Sequence, residues 1–283
     1  MLRDIVVVAL LVWSSRVSAG PLGEPGSLPE AERPNERSIV YVAHDPFAMD
    51  HLEAQPEPIG RMVDAIVVAA TRKTDIDTAW RSLVSPKDRV GIKVATSGGR
   101  YFSTHRAIVD RIVMRLRRIG VTDENILVWD RDAISLREAG FASIKGRFKV
   151  RSIAPQTGYD RDAPVTAPVL GKLIWGDLLF RERRPSQLRG LRARIEAGAD
   201  MDQLSATSHI ATVLSREVTK VINLPLLCDE PNCGVAGALY NMTVPNVDNW
   251  RRFSQAEGGG SEAIPSVYAD EHIGPKVVLH IMD

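Results

Sequence analysis

Apolar positions along this chain follow two different periods. Short runs of β-branched and aliphatic residues at 38–43 (SIVYVA), 89–95 (RVGIKVA), 125–129 (NILVW), 148–153 and 221–224 (VINL) read as buried strands. Between them apolar residues return every three or four positions, as helices require. In 60–72, Met62, Ile66 and Ala70 make one stripe backed by Val63 and Val67. In 105–119, Ile108, Ile112, Leu116 and Ile119 make another, widened by Val109 and Val113 and closed by Gly120. Shorter helices are expected at 75–84, 132–139 and 208–217, with a small-residue helix beginning near Gly234. Strands alternating with helices predict an α/β fold: a largely parallel sheet with helices on both faces. A right-handed crossover from 89–95 to 125–129 puts both carboxyl ends on one edge, so Lys93 and Asp130 line one crevice.

Ligands of α/β proteins sit beyond those carboxyl ends, which directs attention to the loops there. The segment 221–243 (VINLPLLCDEPNCGVAGALYNMT) joins a strand to a loop holding both cysteines and two adjacent acids. Asp229 and Glu230 there suit a general base and its partner or a metal-ligand pair, or are solvated loop acids. Cys228 and Cys233 suit a disulfide across a short loop in an oxidising compartment, with a dithiol metal site as the alternative. Two cysteines cannot supply the four thiolates an iron–sulfur cluster normally takes. The loop TSGGRYFSTH offers Ser97, Gly98 and Gly99 for close backbone approach, with Ser103 or Thr104 as a cap for the helix near His105. Helped by Lys93 and Arg100 it could cradle an anion, and it is otherwise an ordinary connection. His44, Asp45, Asp50 and His51 in HDPFAMDH offer ligands for a divalent metal or form a surface turn. His280 reads as a core histidine.

Composition narrows the partners. With 283 residues, 44% hydrophobic and a formal charge of +1, the chain can bury a full core and has no overall pull toward nucleic acid or anionic membranes. The six arginines of RERRPSQLRGLRAR are read as a solvated segment within a 155–205 insertion, since no aromatic residues are interleaved for base stacking. Residues 1–19 resemble an export leader: Arg3, an apolar run at 5–13, and Val17-Ser18-Ala19 before Gly20. The alternative is an amino-terminal strand. The run is too short to span a bilayer, which takes ~20 apolar residues. A tether at 20–37 and a single α/β domain at 38–283 complete the expected plan, with the mature chain periplasmic or extracellular.

The order DRVGIKV, a loop ending STH, a helix, a strand ending Trp-Asp, then REVTKVINLP and GVAGALYN resembles the domain of unknown function 362 family, largely uncharacterised and often exported proteins. Lys93, Thr104, His105, Asn223, Pro225, Gly234, Gly237 and Asn241 match its pattern over about residues 60–283. The chain has Leu226, Cys228, Asp229 and Glu230 where the family often has Lys, Lys, Thr and His, and Tyr240 where it often has Lys. The resemblance thus implies an acidic site suited to a cation, an amine or a metal. It also implies a buried hydrogen-bonding role for Asn241, and relatives continue past the last strand, as if this chain were truncated.

These readings converge on an enzyme using metal-assisted or acid–base chemistry on a small polar molecule. Lys93 and His105 would hold substrate charge, Asp229 or Glu230 would act as base or ligand, and Ser97, Gly98, Gly99, Thr104, Asp130, Asn223 and Asn241 would line the pocket. The alternative is a non-catalytic small-ligand or metal-binding protein, or a degenerate family member. No nucleic acid and no stable membrane insertion are expected, and the cofactor is left unknown, with a divalent metal as candidate.

Overall fold

A computed structural model describes residues 6–10, 39–142, 147–155, 157–173, 177–178, 204–231, 233–255 and 259–283. The proposed tether, the cleavage point and the Arg-rich run lie outside the described residues. In chain order the strands are β1 (Val6–Leu10), β2 (Val40–His44), β3 (Met49–Asp50), β4 (Glu53–Ala54), β5 (Val90–Val94), β6 (Ile126–Asp130), β7 (Lys149–Ser152), β8 (Tyr159–Lys172), β9 (Leu204–Ala211), β10 (Lys220–Leu224), β11 (Cys228–Glu230), β12 (Gly234–Ala236) and β13 (Val277–Met282). The helices are α1 (Pro56–Thr71), α2 (Ile76–Leu83), α3 (Arg106–Arg118), α4 (Ala133–Glu138), α5 (Ala238–Thr243), α6 (Arg252–Gln255) and α7 (Gly259–Tyr268).

Seven strands form one sheet in the order β2-β1-β13-β10-β5-β6-β7. Its five strands from β13 to β7 are mutually parallel, so the chain is an α/β protein. Strand β1 runs antiparallel between β2 and β13. The apolar run read as the centre of an export leader thus supplies a strand here, and cleavage before Gly20 would remove it from the sheet.

Strand alternation divides the core in two. Val90, Ile92 and Val94 face one side with Ile222, Leu224, Leu279 and Ile281, and there meet the stripes of α1 and α3. Trp129 and Val221 face the other side, where α5, α7 and the β8–β9 ribbon cover them. Gly91 is needed on that second side, because a Cβ would lie 2.5 Å from the Trp129 ring. Helix ends follow their local chemistry: Asp75 and Asp132 cap α2 and α4 by accepting from Thr78 N and Ser135 N. Gly120 and Gly140 take the left-handed conformation just past α3 and α4.

Two expected helices start later than their sequence pattern predicts, each behind a strand. The first four residues of 208–217 continue β9, since Leu204–Ala211 alternates on the long partner β8, and Val213–Glu217 then coil as one π turn. The region near Gly234 is the β11–β12 hairpin, in which Gly234 has φ +79, and the helix starts four residues later at Ala238. Within the segment read as an insertion, 155–205, β8 puts Val165, Ala167 and Val169 into the second core.

Candidate functional site

The register of the parallel strands places Lys93 beside Asn223, and Asn223 beside His280. Cross-strand partners point to the same face, so three polar side chains form a row at the carboxyl ends of β5, β10 and β13. All three are buried. Burial without partners would cost several kcal/mol each, and the structure meets this with a continuous hydrogen-bond chain. Lys93 Nζ donates to Val94 O (2.7 Å), Asp130 Oδ1 (2.7 Å) and Asn241 Oδ1 (3.0 Å), which uses all three of its protons. Asn241 Nδ2 donates to Asn223 Oδ1 (2.8 Å), and Asn223 Nδ2 reaches Ala238 O and His280 Nδ1 (2.8 Å each). With Nδ1 accepting, the neutral imidazole donates from Nε2 to the Tyr268 hydroxyl at 3.0 Å. Burial pushes His280 down to about 4 and so keeps it neutral. Burial also lowers Lys93, against the pull of the Asp130 charge.

Asp130, itself buried, ends this chain beneath a cleft. Its Oδ1 also accepts from Arg131 N (2.7 Å), and its Oδ2 accepts from Thr96 N (2.8 Å) and Thr96 Oγ1 (2.6 Å). The carboxylate is therefore saturated. It forms the floor of a cleft of about 240 Å³ with walls from Thr96, Ser97, Arg131, Tyr240, Asn241 and Trp250. The Arg131 guanidinium lies 4.4 Å from the centre of the Trp250 ring, and among the described residues its hydrogen bonds are two long ones, 3.4 Å each, to Val244 O and Val247 O. Burial pushes the Arg131 guanidinium down from its ordinary range. Burial likewise raises the Tyr240 phenol to about 12, helped by the charge of Glu230, so it is a neutral donor.

The residues expected to act together are divided among three places. Lys93, Asp130, Asn223 and Asn241 are joined, and Ser97 lines the same cleft. His105 is on the other face of the sheet, at the start of α3, where its ring and backbone N–H both bond Asp283 (Nδ1 to Oδ2 2.9 Å, N to Oδ2 2.6 Å). That hydrogen bond, opposed by burial, raises the His105 pKa. His105 lines a second cleft of about 540 Å³ with Arg100, Ser103 and Thr104. Thr104 serves the loop itself: its hydroxyl accepts from Ala95 N and donates to Leu224 O at 2.9 Å. Gly98 pairs with Phe102, and Gly99 turns the loop at φ +65. Asp229 is exposed on β11.

The expected disulfide is absent, and both thiols are free. The hairpin register accounts for this. Cys228 sits opposite Ala236 at one end of the ladder, while Cys233 lies in the turn at the other. There its thiol donates to Glu230 Oε2 (3.0 Å), which also accepts Cys233 N (2.8 Å). Burial, reinforced by that carboxylate, raises Cys233 to about 12. In the HDPFAMDH segment, His51 and Leu52 both have positive φ and form a two-residue hairpin turn between β3 and β4. Asp45 is engaged by Phe47 N and Arg61. Among the described residues no three His, Cys, Asp or Glu side chains converge as metal ligands.

Sequence reasoning passed over Arg131 and Trp250 as cleft residues and noted Tyr240 only as a replacement. Arg131 had a usable signal, since it directly follows the acid at a strand end.

No family model matches the chain, and no curated protein does. Two solved chains match. One is the crystal structure of a Thermotoga maritima protein, a Northeast Structural Genomics Consortium target, at 10% identity and a TM-score of 0.38. The alignment covers 72% of this chain and 42% of that one, so the chain spans less than half the length of that protein.

Proposed function

We propose that the chain is a small-molecule-binding protein whose ligand enters the cleft above Asp130, with the Lys93–Asp130 pair as a rigid floor. The saturation of that pair carries the reading. All three Lys93 protons are engaged and both Asp130 oxygens accept two bonds, so neither group has an idle proton or lone pair in its present geometry. What lines the cleft instead is an aromatic and apolar wall with a few polar groups, the usual make-up of a ligand pocket. Its volume is below the usual ~300–1,000 Å³ and suits a small ligand.

An acid–base enzyme is the second reading. It is favoured by the position of Asp130 at the carboxyl end of β6, half of a buried ion pair at a cleft surface. A ligand-observed NMR fragment screen tests the proposal. Fragments should bind the full chain and fail to bind an Ala236→Trp variant, whose indole fills the cleft. Turnover on a hydrolase and isomerase substrate panel, lost in Asp130→Asn, would replace binding by catalysis.

A further inference from the structure

The geometry points to an oxyanion, a carboxylate or phosphate group on a small molecule, as what this cleft recognises, with Arg131 as its clamp. The inference rests on the cleft being the binding site and adds the chemistry of the ligand. Trp250 is flanked by two guanidiniums, Arg131 at 4.4 Å and Arg251 at 4.8 Å from the ring centre. Neither has a carboxylate within ion-pair distance among the described residues. Two like charges held around one ring repel each other, and the repulsion is relieved by an anion arriving between or beside them.

The neighbouring acids do not perform that role. Asp130 is committed to Lys93 and Thr96. Asp132 is committed to Ser135 N and Oγ as the cap of α4. Asp177 acts on Arg131 only through space and accepts from Asn249 N. A guanidinium has five N–H donors in a planar fork matched to carboxylate and phosphate, and among the described residues Arg131 uses one nitrogen for two long bonds. The remaining donors are in a half-desolvated setting, where a charge-assisted bond is strong. The Tyr240 hydroxyl supplies a neutral donor on the same wall, and Leu226, Val244 and Pro245 supply an apolar surface for the rest of the molecule. This reverses the expectation of a cation site, because Asp229 and Glu230 are not among the cleft-lining residues.

The test is calorimetry of the full chain with benzoate and phenyl phosphate, each paired with a neutral match, benzamide and benzyl alcohol. The oxyanions should bind at least tenfold more tightly than their matches, with affinity falling as salt rises. Arg131→Met should remove that preference, bringing each oxyanion down to the affinity of its neutral match in the same variant. Arg251→Met, at an exposed position, should weaken the oxyanions by a smaller factor and serves if Arg131→Met fails to fold. Equal binding of charged and neutral probes that is blocked by Ala236→Trp would overturn the oxyanion inference and keep the cleft. Oxyanion binding indifferent to Ala236→Trp, or none at all, would overturn the inference together with the cleft reading.

Discussion

Lys93 Nζ and Asp130 Oδ1 are 2.7 Å apart, on neighbouring parallel strands, with side-chain exposures of 0% and 10%. Breaking such a pair leaves a buried charge without its partner, which costs about 3–5 kcal/mol, whereas removing both charges together costs far less. Lys93→Met should therefore lower unfolding free energy by several kcal/mol, and Lys93→Met with Asp130→Leu should recover a large part of it. Urea denaturation of the two single variants and the double variant measures the coupling. Strictly additive losses would show that the two groups do not act as a pair.

His280 sets a pH dependence of definite sign. Its folded pKa of about 4 lies below the ordinary ~6.5, so between these values the unfolded chain binds the extra proton. The stability it contributes is complete above pH 6.5 and is lost as pH falls toward 4, by roughly 3 kcal/mol at ~1.4 kcal/mol per pH unit. His105 has the opposite sign: its raised pKa favours the fold at low pH, and that contribution fades as pH rises through the folded value. Stability measured from pH 7 to 4 should fall more steeply in the wild type than in His280→Gln. Parallel curves would remove His280 from the account.

The two thiols should both react with an aromatic disulfide reagent in the native protein. Cys228 is exposed and should react first, whereas Cys233, raised to about 12 beside Glu230, should lag by an order of magnitude or more. Glu230→Gln should narrow the gap. A count of zero thiols in protein purified without reductant would restore the disulfide.

The export leader and strand β1 make opposite demands on residues 6–10. If β1 is integral to the native sheet, intact mass analysis of the folded protein should retain those residues, and Val8→Asp, which sits between Val42 and Met282 in the ladder, should destabilise it. A mature chain that begins at Gly20 would support the leader and leave β2 without its neighbour.

The parts of the fold that could be read from sequence are those in which one local signal prevails. The β-branched runs of β5, β6 and β10 and the four-residue periodicity of α3 left few alternatives, and the crossover between them put Lys93 and Asp130 on one edge. What failed depended on strand pairing, with a remote partner for β9 and a neighbouring one for β12. Leu204–Ala211 is a strand because Tyr159–Lys172 lies beside it, and the small residues after Glu230 pair back as β12 before any helix starts. The polar row of Lys93, Asn223 and His280 is invisible to any local window, since it exists only once three strands are in register. His105 was grouped with Lys93 because both lie near the loop after β5. The helix it begins packs on the opposite face.

A ligand site above Asp130 would show in chemical shifts of the isotope-labelled full chain titrated with a fragment library. Binders should perturb Ser97, Arg131, Tyr240 and Trp250 together, and Ala236→Trp should abolish the response without lowering the melting temperature. Perturbations confined to the His105 cleft, with the Arg131 and Trp250 signals unmoved at saturation, would contradict it.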